Sequence, residues 1–374
     1  MSEVLLYAAG DVAPDRPDPS ECFALAAETL RRADITFCQL ECNLTERGSR
    51  VPQARHTHRS TAAAAVAMKD AGFSVVSFAG NHCMDWGKEG FFDTIDALKG
   101  ADLGVVGVGA NITEARAPLI IEKDGLKVAF LAYSSILPMS YWAEADRPGC
   151  APMRGHTIYE QIEHDQPGTP ARIHTFAHAG DLQALKDDIA AAKTRADVVI
   201  VSLHWGIHFV PAVIADYQRE VGHAAIDAGA DLILGHHAHI LKGVEVYRGK
   251  TIFYSLCNFA VDLRMTPEHA QSKGFKEIQV LAPNWEPDFD SLYNFPPDAR
   301  STIIATARIT KEGVRETGFL PVFIGPTSQP EVLKAGDPRF AEVADYIDRM
   351  GRQAELFTCF ATRGDEVLIV GAEG

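Results

Sequence analysis

Short clusters of carboxylate, amide and imidazole residues follow the apolar runs of this chain. The densest is Gly235-His236-His237-Ala238-His239, in which three histidines occupy four positions, a density that packing alone rarely produces. The other clusters are Gly10-Asp11, Glu41 with Asn43, Gly80-Asn81-His82-Cys83-Met84-Asp85 and His204-Trp205-Gly206-Ile207-His208. Oxygen and imidazole ligands together suit Mn, Fe, Zn or a similar divalent ion. The clusters therefore predict a site for one or two divalent metals.

The elements that must position these clusters alternate along the first 260 residues. Candidate strands are Val4–Ala9, Ile35–Leu40, Ser74–Ala79, Leu103–Val106, Lys127–Ala132, Asp197–Leu203 and Asp231–Leu234, and candidate helices are Ser20–Ala33, Ala62–Ala71, Lys88–Lys99, Asp181–Arg195 and Ala215–Ala228. Such alternation is typical of βα units around a largely parallel sheet. In open α/β sheets, ligands bind beyond the carboxyl ends of the strands. We therefore expect the polar clusters to converge at one edge.

The pattern predicts a core with one insertion and one extension. The core covers residues 1–262 and ends with a hairpin, Lys242–Tyr247 and Thr251–Ser255. Residues 138–177 are polar and rich in proline, and so long a connection suggests a lid-like insertion. Residues 263–374 read as a C-terminal extension that packs on the core. Its predicted elements are the strands Ser301–Ile309, Thr317–Ile324 and Glu366–Val370 and the helix Phe340–Met350.

Composition narrows the class of partner. The 374 residues are 47% hydrophobic and 23% charged, with a formal net charge of −15. A nucleic-acid-binding surface needs a basic footprint, so nucleic acid is not expected as a partner. The seven cysteines include no CxxC pair, which favours a reducing compartment. No signal peptide or membrane span is apparent. We expect a cytoplasmic protein that binds a small-molecule or peptide substrate and no membrane; the pattern assigns no oligomeric state.

Taken together, the clusters resemble the motifs of a known family. They are Gly10-Asp11, Leu40-Glu41, Ala79–Gly87, His204-Trp205-Gly206, Gly235–His239 and Tyr254-Ser255-Leu256-Cys257-Asn258-Phe259, all in order within about residues 4–260. This set resembles the CapA family of poly-γ-glutamate capsule synthesis proteins, which is related to the calcineurin-like metallophosphoesterases. The resemblance implies an α/β fold, a four-layer α/β/β/α sandwich of the metallophosphatase type, with the metals at the strand ends.

The resemblance also implies roles for the matching residues. Asp11 and Glu41 resemble carboxylate ligands, Asn81 resembles an amide ligand, and His204, His237 and His239 resemble imidazole ligands. His236 competes with His237, because the additional histidine leaves the register open. His82 is similar to the metallophosphoesterase histidine that protonates the leaving group, and Asp85 could orient it.

Two departures from the family pattern matter for the metal site. The phosphoesterase motif Asp-x-His is here Asp11-Val12-Ala13, so one usual ligand is missing. His56 or His58 could replace it, although surface loops also carry such pairs. The family's usual Ser-Leu-Gly-Asn-Phe is here Ser-Leu-Cys-Asn-Phe. Capsule proteins of the family are anchored in the membrane, whereas this sequence shows neither an anchor nor a signal, which weakens the expectation of a capsule role.

Three functions compete at this stage. The leading hypothesis is a metal-dependent hydrolase that uses metal-activated water on a phosphoester or a peptide-like, γ-glutamyl amide, with His82 as acid and Arg59, Arg154 and Trp205 contacting the substrate. The second is a metal-assisted epimerase of an amino-acid residue in a peptide, with Asp11 as base. The third is a non-catalytic subunit of polyglutamate or capsule polymer synthesis.

Overall fold

The computed structural model describes residues 3–54 and 57–372. Its strands are β1 (Val4–Ala13), β2 (Ile35–Leu40), β3 (Asn43–Leu44), β4 (Arg59–Ser60), β5 (Val75–Ser77), β6 (Gly104–Val106), β7 (Val108–Gly109), β8 (Leu119–Lys123), β9 (Leu126–Ser134), β10 (Gly149–Cys150), β11 (Gly155–Glu160), β12 (Arg172–Ala177), β13 (Val198–His204), β14 (Leu232–His236), β15 (Val244–Tyr247), β16 (Lys250–Phe253), β17 (Asn258–Val261), β18 (Ser301–Thr310), β19 (Gly313–Ile324), β20 (Pro330–Val332), β21 (Thr358–Arg363) and β22 (Glu366–Ala372). Its α-helices are α1 (Ala27–Leu30), α2 (Ala63–Ala71), α3 (Gly87–Gly100), α4 (Ile112–Ala115), α5 (Ala179–Lys193), α6 (Asp216–Asp227), α7 (Pro267–Ala270), α8 (Lys273–Gln279) and α9 (Pro338–Gln353). None of these helices is long and apolar enough to cross a bilayer.

Two large sheets organise the described residues. The first has the strand order β21-β22-β19-β18-β1-β2-β5-β6, with β17 also paired to β1 and β20 to β19. The second has the order β15-β16-β14-β13-β9-β8. The neighbours β1, β2, β5 and β6 run parallel, and so do β9, β13, β14 and β16. Parallel neighbours place their carboxyl ends at one edge of each sheet, as the alternating pattern predicts.

The alternation of side chains along β13 shows how the layers stack. Val198 and Ile200 pack in the interior shared with the first sheet, whereas Val199, Val201 and Leu203 pack with the apolar faces of α5 and α6. Because successive side chains of a strand point to opposite faces, the second sheet is buried on both sides. Helix α3 contacts the edge strand β6 of the first sheet. The predicted α/β/β/α sandwich is confirmed.

Residues of the C-terminal extension complete the first sheet. β18 pairs antiparallel with β1, from Val4 opposite Ile309 to Ala9 opposite Ile304, and β19 pairs with β18. Both strands, the helix α9 and the last strand lie where the sequence predicts them. The division of the chain at residue 262 stays a prediction, and the sheet is continuous across it.

The insertion at residues 138–177 lies mostly beside α6. β11 and β12 form an antiparallel hairpin, and the backbone N–H groups of Thr175 and Ala177 donate to the carboxylates of Asp216 and Glu220 at 3.1 and 2.7 Å. Only the beginning of the insertion, including Pro138 and Tyr141, lines the cavity described below. The lid-like role of residues 138–177 stays a prediction, and within the insertion only these first residues border the cavity.

Two sequence expectations differ from the observed elements. The helix expected over Ser20–Ala33 is a 3-10 turn followed by the single turn α1, because the Asp18 carboxylate caps a tight turn by accepting from the backbone N–H of Ser20 at 3.0 Å. The proline-punctuated loop expected after residue 265 contains α7 and α8. Their N-termini are capped by the side chains of Thr266 and Ser272, a signal that the sequence carries.

Candidate metal centre

Asp11 lies at the end of β1, fully buried, and both of its carboxylate oxygens are engaged. Oδ1 lies 3.0 Å from Nδ1 of His236, and Oδ2 accepts the backbone N–H of His237 at 3.1 Å. The backbone of β1 passes so close to Cys257 here that a side chain on Gly10 would collide with the Cys257 carbonyl oxygen. Glycine at position 10 therefore lets β1 approach the residues before β17 where Asp11 sits.

Glu41 and Asn81 come from the first sheet, and His204 meets them from the second. His204 ends β13, and its Nε2 lies 2.7 Å from Asn81 Oδ1 and 3.1 Å from Glu41 Oε1. Glu41 follows β2 and is 3% exposed, and Asn81 follows β5. The strand ends of both sheets thus converge at one point, as predicted from the positions of the clusters.

The segment after β14 carries His237 and His239 in strained backbone conformations. Their φ angles are +85° and +54°, in the left-handed region that side chains other than glycine rarely adopt. The His237 ring lies 4.8 Å from that of His204, between centroids. Nδ1 of His239 lies 2.7 Å from Asn258 Oδ1, 3.7 Å from Asp11 Oδ2 and 3.8 Å from Glu41 Oε2. Such strain persists where the surrounding structure fixes it, as at a binding site.

The donor set fits divalent cations. Glu41, His204 and His237 form one group of ligand atoms within 4.8 Å of one another, and Asp11, Glu41 and His239 form a second. Among the described residues, buried Nδ1 of His237 has no hydrogen-bond partner, and Glu41 Oε1 has only the ion-pair contact of 3.1 Å with His204 Nε2. Burying polar atoms without a partner is costly. A cation shared through Glu41 would supply the missing partner.

Burial and charge keep the imidazoles in the form that binds metals. Burial lowers the pKa of His204 to about 4 and holds that of His237 well below its usual value. Burial and the negative charge of Asp11 raise the pKa of Glu41 to about 7. Burial opposes the ionisation of Asp11, but the hydrogen bond and charge of His236 prevail and lower its pKa. Neutral imidazole nitrogens beside carboxylates are the donors that Mn, Fe and Zn accept.

His82 forms a polar triad beside these groups. Nδ1 of His82 lies 2.7 Å from Asp85 Oδ2, and the hydroxyl of Tyr141 donates to Asp85 Oδ1 at 2.9 Å. Burial opposes protonation of His82, but the charge and hydrogen bond of Asp85 prevail and raise the pKa of His82 to about 9. Because Asp85 engages Nδ1, Nε2 is the nitrogen available to a ligand.

A cavity of about 550 Å³ opens onto Glu41, Asn81, His82 and His239. The rest of its wall is largely apolar and includes Leu137, Phe209, Phe275, Trp285 and Phe295. Three of those residues belong to the segment after β17 that contains α7 and α8, so this segment covers the centre. The cavity is large enough for a small organic ligand.

A family comparison agrees with this arrangement. The sequence model described as "Bacterial capsule synthesis protein PGA_cap" matches residues 5–263. The chain belongs to this family. The match ends just after β17, so the family region includes every candidate ligand but leaves out α7, α8 and the wall that they form.

The curated relatives align with different fractions of this chain. The PGA biosynthesis protein CapA of Bacillus subtilis is 33% identical over 196 residues, which are 52% of this chain and 44% of that protein. The "Probable polyglutamine synthesis accessory protein" of Mycobacterium tuberculosis is 32% identical over 246 residues, 64% of this chain and 58% of that protein. An uncharacterized protein of Sinorhizobium fredii is 26% identical over an alignment of 414 positions. This alignment covers 93% of this chain and 88% of that protein. The chain spans less than half the length of the Bacillus relative.

Solved structures give more distant likenesses. Calcineurin-like phosphoesterase YfkN from Bacillus subtilis aligns over 94% of this chain and 96% of its own, with 13% identity and a TM-score of 0.39. A hypothetical protein from Thermus thermophilus aligns over 87% of this chain and 95% of its own, with 13% identity and a TM-score of 0.43. The family assignment rests on the sequence match and not on these structures.

The structure places some predicted residues of this capsule-family site away from a ligand role. His236 is fully buried against Asp11 and Phe37, and it belongs to neither group of candidate ligands. Asp11 belongs to one ligand group and is 0% exposed, and its role as the base of an epimerase stays a prediction. His58 lines the cavity and lies 4.0 Å from Asp15, outside both ligand groups. His56 lies outside the described residues.

The three residues predicted to contact substrate have other partners. Trp205 is 0% exposed, its ring stacks on Tyr254 and its indole N–H donates to the Tyr254 carbonyl at 3.0 Å. Arg154 makes two hydrogen bonds of 2.6 Å to the carboxylate of Asp181. The guanidinium of Arg59 lies over the ring of Trp86, 4.1 Å from its centroid. None of the three is among the described residues that line the cavity.

Sequence reasoning assigned no role to His208 and Asn258, which the structure brings to the centre. The His208 ring lies 3.8 Å from that of His237 and 5.1 Å from that of His239, between centroids. Asn258 Oδ1 contacts His239, and its amide donates to the hydroxyl of Tyr293 at 2.8 Å. His208 lies in the cluster that begins at His204, and Asn258 lies in the motif Tyr254–Phe259. Their positions in these motifs were the sequence signal that could have predicted a place at the centre.

Proposed function

We propose that the protein is a metal-dependent hydrolase of a phosphoester or a peptide-like amide. The observation that carries the proposal is the overlap of two buried groups of ligands at Glu41, next to the His82–Asp85 pair and open to one cavity. Structural ion pairs rarely leave several buried donor atoms without partners. The arrangement is therefore better suited to holding cations than to stabilising the fold.

The two groups of ligands define which residues would hold the cations. Glu41, His204 and His237 would bind one, with Asn81 beside His204, and Asp11, Glu41 and His239 would bind the other. A bound divalent ion supplies Lewis acidity, which lowers the pKa of coordinated water and offsets negative charge on the attacked group. His236, which contacts Asp11 Oδ1, would orient that carboxylate. Asn258 Oδ1 contacts Nδ1 of His239, the nitrogen that faces Asp11 and Glu41, and would lie beside the second cation.

His82 would deliver a proton to the leaving group. Asp85 holds Nδ1 of His82 at 2.7 Å, so the proton to be transferred sits on Nε2. The hydroxyl of Tyr141 fixes the other oxygen of Asp85, which keeps the carboxylate and the imidazole in one orientation. The apolar cavity wall would limit the access of bulk water to the reacting group.

Metal analysis and hydrolysis assays test this proposal together. Protein purified without chelator should contain at least one equivalent of a divalent metal and hydrolyse bis(p-nitrophenyl) phosphate or a peptide anilide. The His82→Gln variant should keep the metal but lose about 100-fold or more in kcat, because general acids contribute that much. The Tyr141→Phe variant should lower kcat with little change in KM.

A non-catalytic role is the alternative, and the printed name of the Mycobacterium tuberculosis relative favours it. In that case the His82→Gln variant would bind metal normally and support polymer synthesis as well as the native chain does. Absence of hydrolysis in the metal-loaded native protein, with both substrate types, would decide for this role. Incorporation of solvent deuterium at Cα of a peptide, without cleavage, would indicate epimerisation instead.

A further inference from the structure

Two adjoining chambers lie beside the candidate metal centre. The inner one is the cavity of about 550 Å³ already described, and the outer one has a volume of about 760 Å³. Residues that line both chambers are Ala54, His58, Leu263, His269, Gly274 and Glu277. Because these residues line both, the chambers adjoin, and a ligand that spans them would pass this boundary.

The inner chamber suits an apolar group. Trp285 lies 5.2 Å from Phe209 and 5.0 Å from Phe275, between ring centroids, and Phe295 lies 5.2 Å from the His239 ring. Among the described residues of its lining there is no lysine or arginine. An apolar side chain placed against these rings would gain free energy by leaving water.

The outer chamber presents cations instead. Arg50, Arg264 and Lys273 line it and are exposed. Two of the three carboxylates in the same lining have cationic partners of their own. Nε of Arg16 donates to Asp262 at 2.9 Å, and Glu277 lies 3.7 Å from Lys273. The third carboxylate, Asp15, has the positive charges of Arg264 and Arg59 nearby. Among the described residues, neither Arg50 nor Arg264 forms an ion pair with a carboxylate, so both can contact an anion.

We propose that this centre acts on an amphipathic, peptide-like amide. An apolar group of about aromatic size would fill the inner chamber next to the reacting bond, and a carboxylate in the outer chamber would contact Arg50 and Arg264. The reaction part of this inference rests on the proposed hydrolase function. Poly-γ-glutamate carries no apolar side chain, so its residues would not use the aromatic part of the inner wall.

Binding of short peptides tests the inference without turnover. The probes are tetrapeptides with one internal Phe and a single Glu, placed at the first or at the last position. The same peptides with Gln in place of Glu and a γ-glutamyl tetramer serve for comparison. Dissociation constants are measured by calorimetry on the Mn²⁺-loaded His82→Gln variant. The Phe peptides with Glu at one end should bind at least about tenfold more tightly than the γ-glutamyl tetramer.

Substitutions in each chamber separate the two contributions. Leu137→Trp fills the inner chamber and should weaken every Phe peptide by about tenfold or more, whereas Leu25→Trp, at a site 55% exposed and outside both linings, should change nothing. Arg50→Gln and Arg264→Gln should each weaken the Glu-ended peptide by about fivefold and its Gln-ended counterpart by less than about twofold.

Two results would overturn the inference. One is a γ-glutamyl tetramer that binds as tightly as the Phe peptides. The other is an arginine substitution that weakens Glu-ended and Gln-ended peptides equally. The proposed function fails in a different way: peptides bind as expected, yet the metal-loaded native protein cleaves none of them. Cleavage without discrimination between the peptides would instead retain the hydrolase and reject the amphipathic substrate.

Discussion

Glu41 is the residue on which the two groups of candidate ligands depend. It belongs to both groups, it is 3% exposed and burial together with Asp11 raises its pKa to about 7. Without a cation, the charge of this carboxylate is poorly compensated. His239, by contrast, belongs to one group only. This asymmetry means that the loss of either residue should have distinguishable consequences for metal content.

The Glu41→Gln variant should therefore lose the metal bound by both ligand groups. The His239→Ala variant should lose about half of the bound metal. Loss of a shared ligand should weaken binding by more than the 10–100-fold typical of an orienting partner. Plasma emission spectroscopy after gel filtration measures the equivalents bound. Glu245→Gln is the matched control, because that carboxylate also contacts a histidine, His223 at 2.8 Å, but outside both ligand groups. Equal metal content in Glu41→Gln and native protein would contradict the assignment.

At the scale of elements, the ends of β1, β13 and β14 bring the centre together. Asp11, His204 and His236 each occupy the last part of a buried strand. The close approach of β1 to the residues before β17 is possible because position 10 has no side chain. Cys257, at φ +65°, supplies the carbonyl oxygen that lies there, at the position where the family usually has glycine.

Gly10→Ala should therefore separate β1 from Cys257 and disturb Asp11. We expect a loss of about 2–4 kcal/mol in the free energy of unfolding, because the colliding atom is backbone and cannot rotate away. Metal binding should fall in parallel. Gly100→Ala, where an added Cβ meets nothing within 4 Å, should change stability by less than about 1 kcal/mol. Urea unfolding of both variants, with metal analysis, measures the difference; equal stabilities would show that the approach of the strands tolerates a side chain.

Lys242 connects the loop after β13 to the start of β15. It is 2% exposed, and its ammonium group donates to the carbonyl oxygens of Val210 and Val213. Burial lowers the pKa of Lys242 to about 7, and no carboxylate among the described residues forms an ion pair with it. Between pH 7 and its unfolded pKa near 10.4, the unfolded chain carries more protons at this site than the folded one.

Between pH 7 and about 10.4, the free energy of unfolding of the native protein should therefore rise relative to that of the Lys242→Met variant, whose side chain cannot titrate. The sign follows from linkage, because stability increases with pH wherever the unfolded state binds more protons. From pH 7 to 9, the difference in the free energy of unfolding between native protein and variant should change by about 2 kcal/mol. Urea titrations at three pH values measure it. A constant difference would mean that Lys242 keeps an ordinary pKa in the folded protein.

Strand positions, polar clusters and the alternation of side chains along a strand were predictable from the sequence, whereas the wall that covers the centre was not. His204 and Trp205 are neighbours in one motif, but His204 faces the centre and Trp205 packs with Tyr254 in the cluster that includes α6 residues. Successive side chains of a strand point to opposite faces, so parity alone separates the two residues. The wall formed by Phe275 and Trp285 could not be predicted in this way, because it depends on how α8 folds back over the strand ends.

At the scale of the whole molecule, the C-terminal strands β18, β19, β21 and β22 complete the first sheet. β1 lies between β2 and β18, so residues 301–310 cover an edge that would otherwise expose unpaired N–H and C=O groups of Val4–Ala9. The hairpin β11–β12 differs, because most of its side chains are exposed and no described strand outside the hairpin pairs with it. The two segments should therefore differ sharply in their importance for the fold.

A chain that ends at residue 296 should therefore fail to fold, whereas excision of residues 156–176 should be tolerated. The truncated chain loses β18, β19 and α9 and leaves β1 as an open edge, so it should appear in the insoluble fraction or as large oligomers in gel filtration. In the excised chain, a Gly-Ser linker joins Gly155 to Ala177, which already face each other across the hairpin. This chain should retain cooperative unfolding and native metal content, because the removed residues belong to neither ligand group. A soluble, metal-binding truncation would instead mean that residues 1–296 fold without β18, β19 and α9.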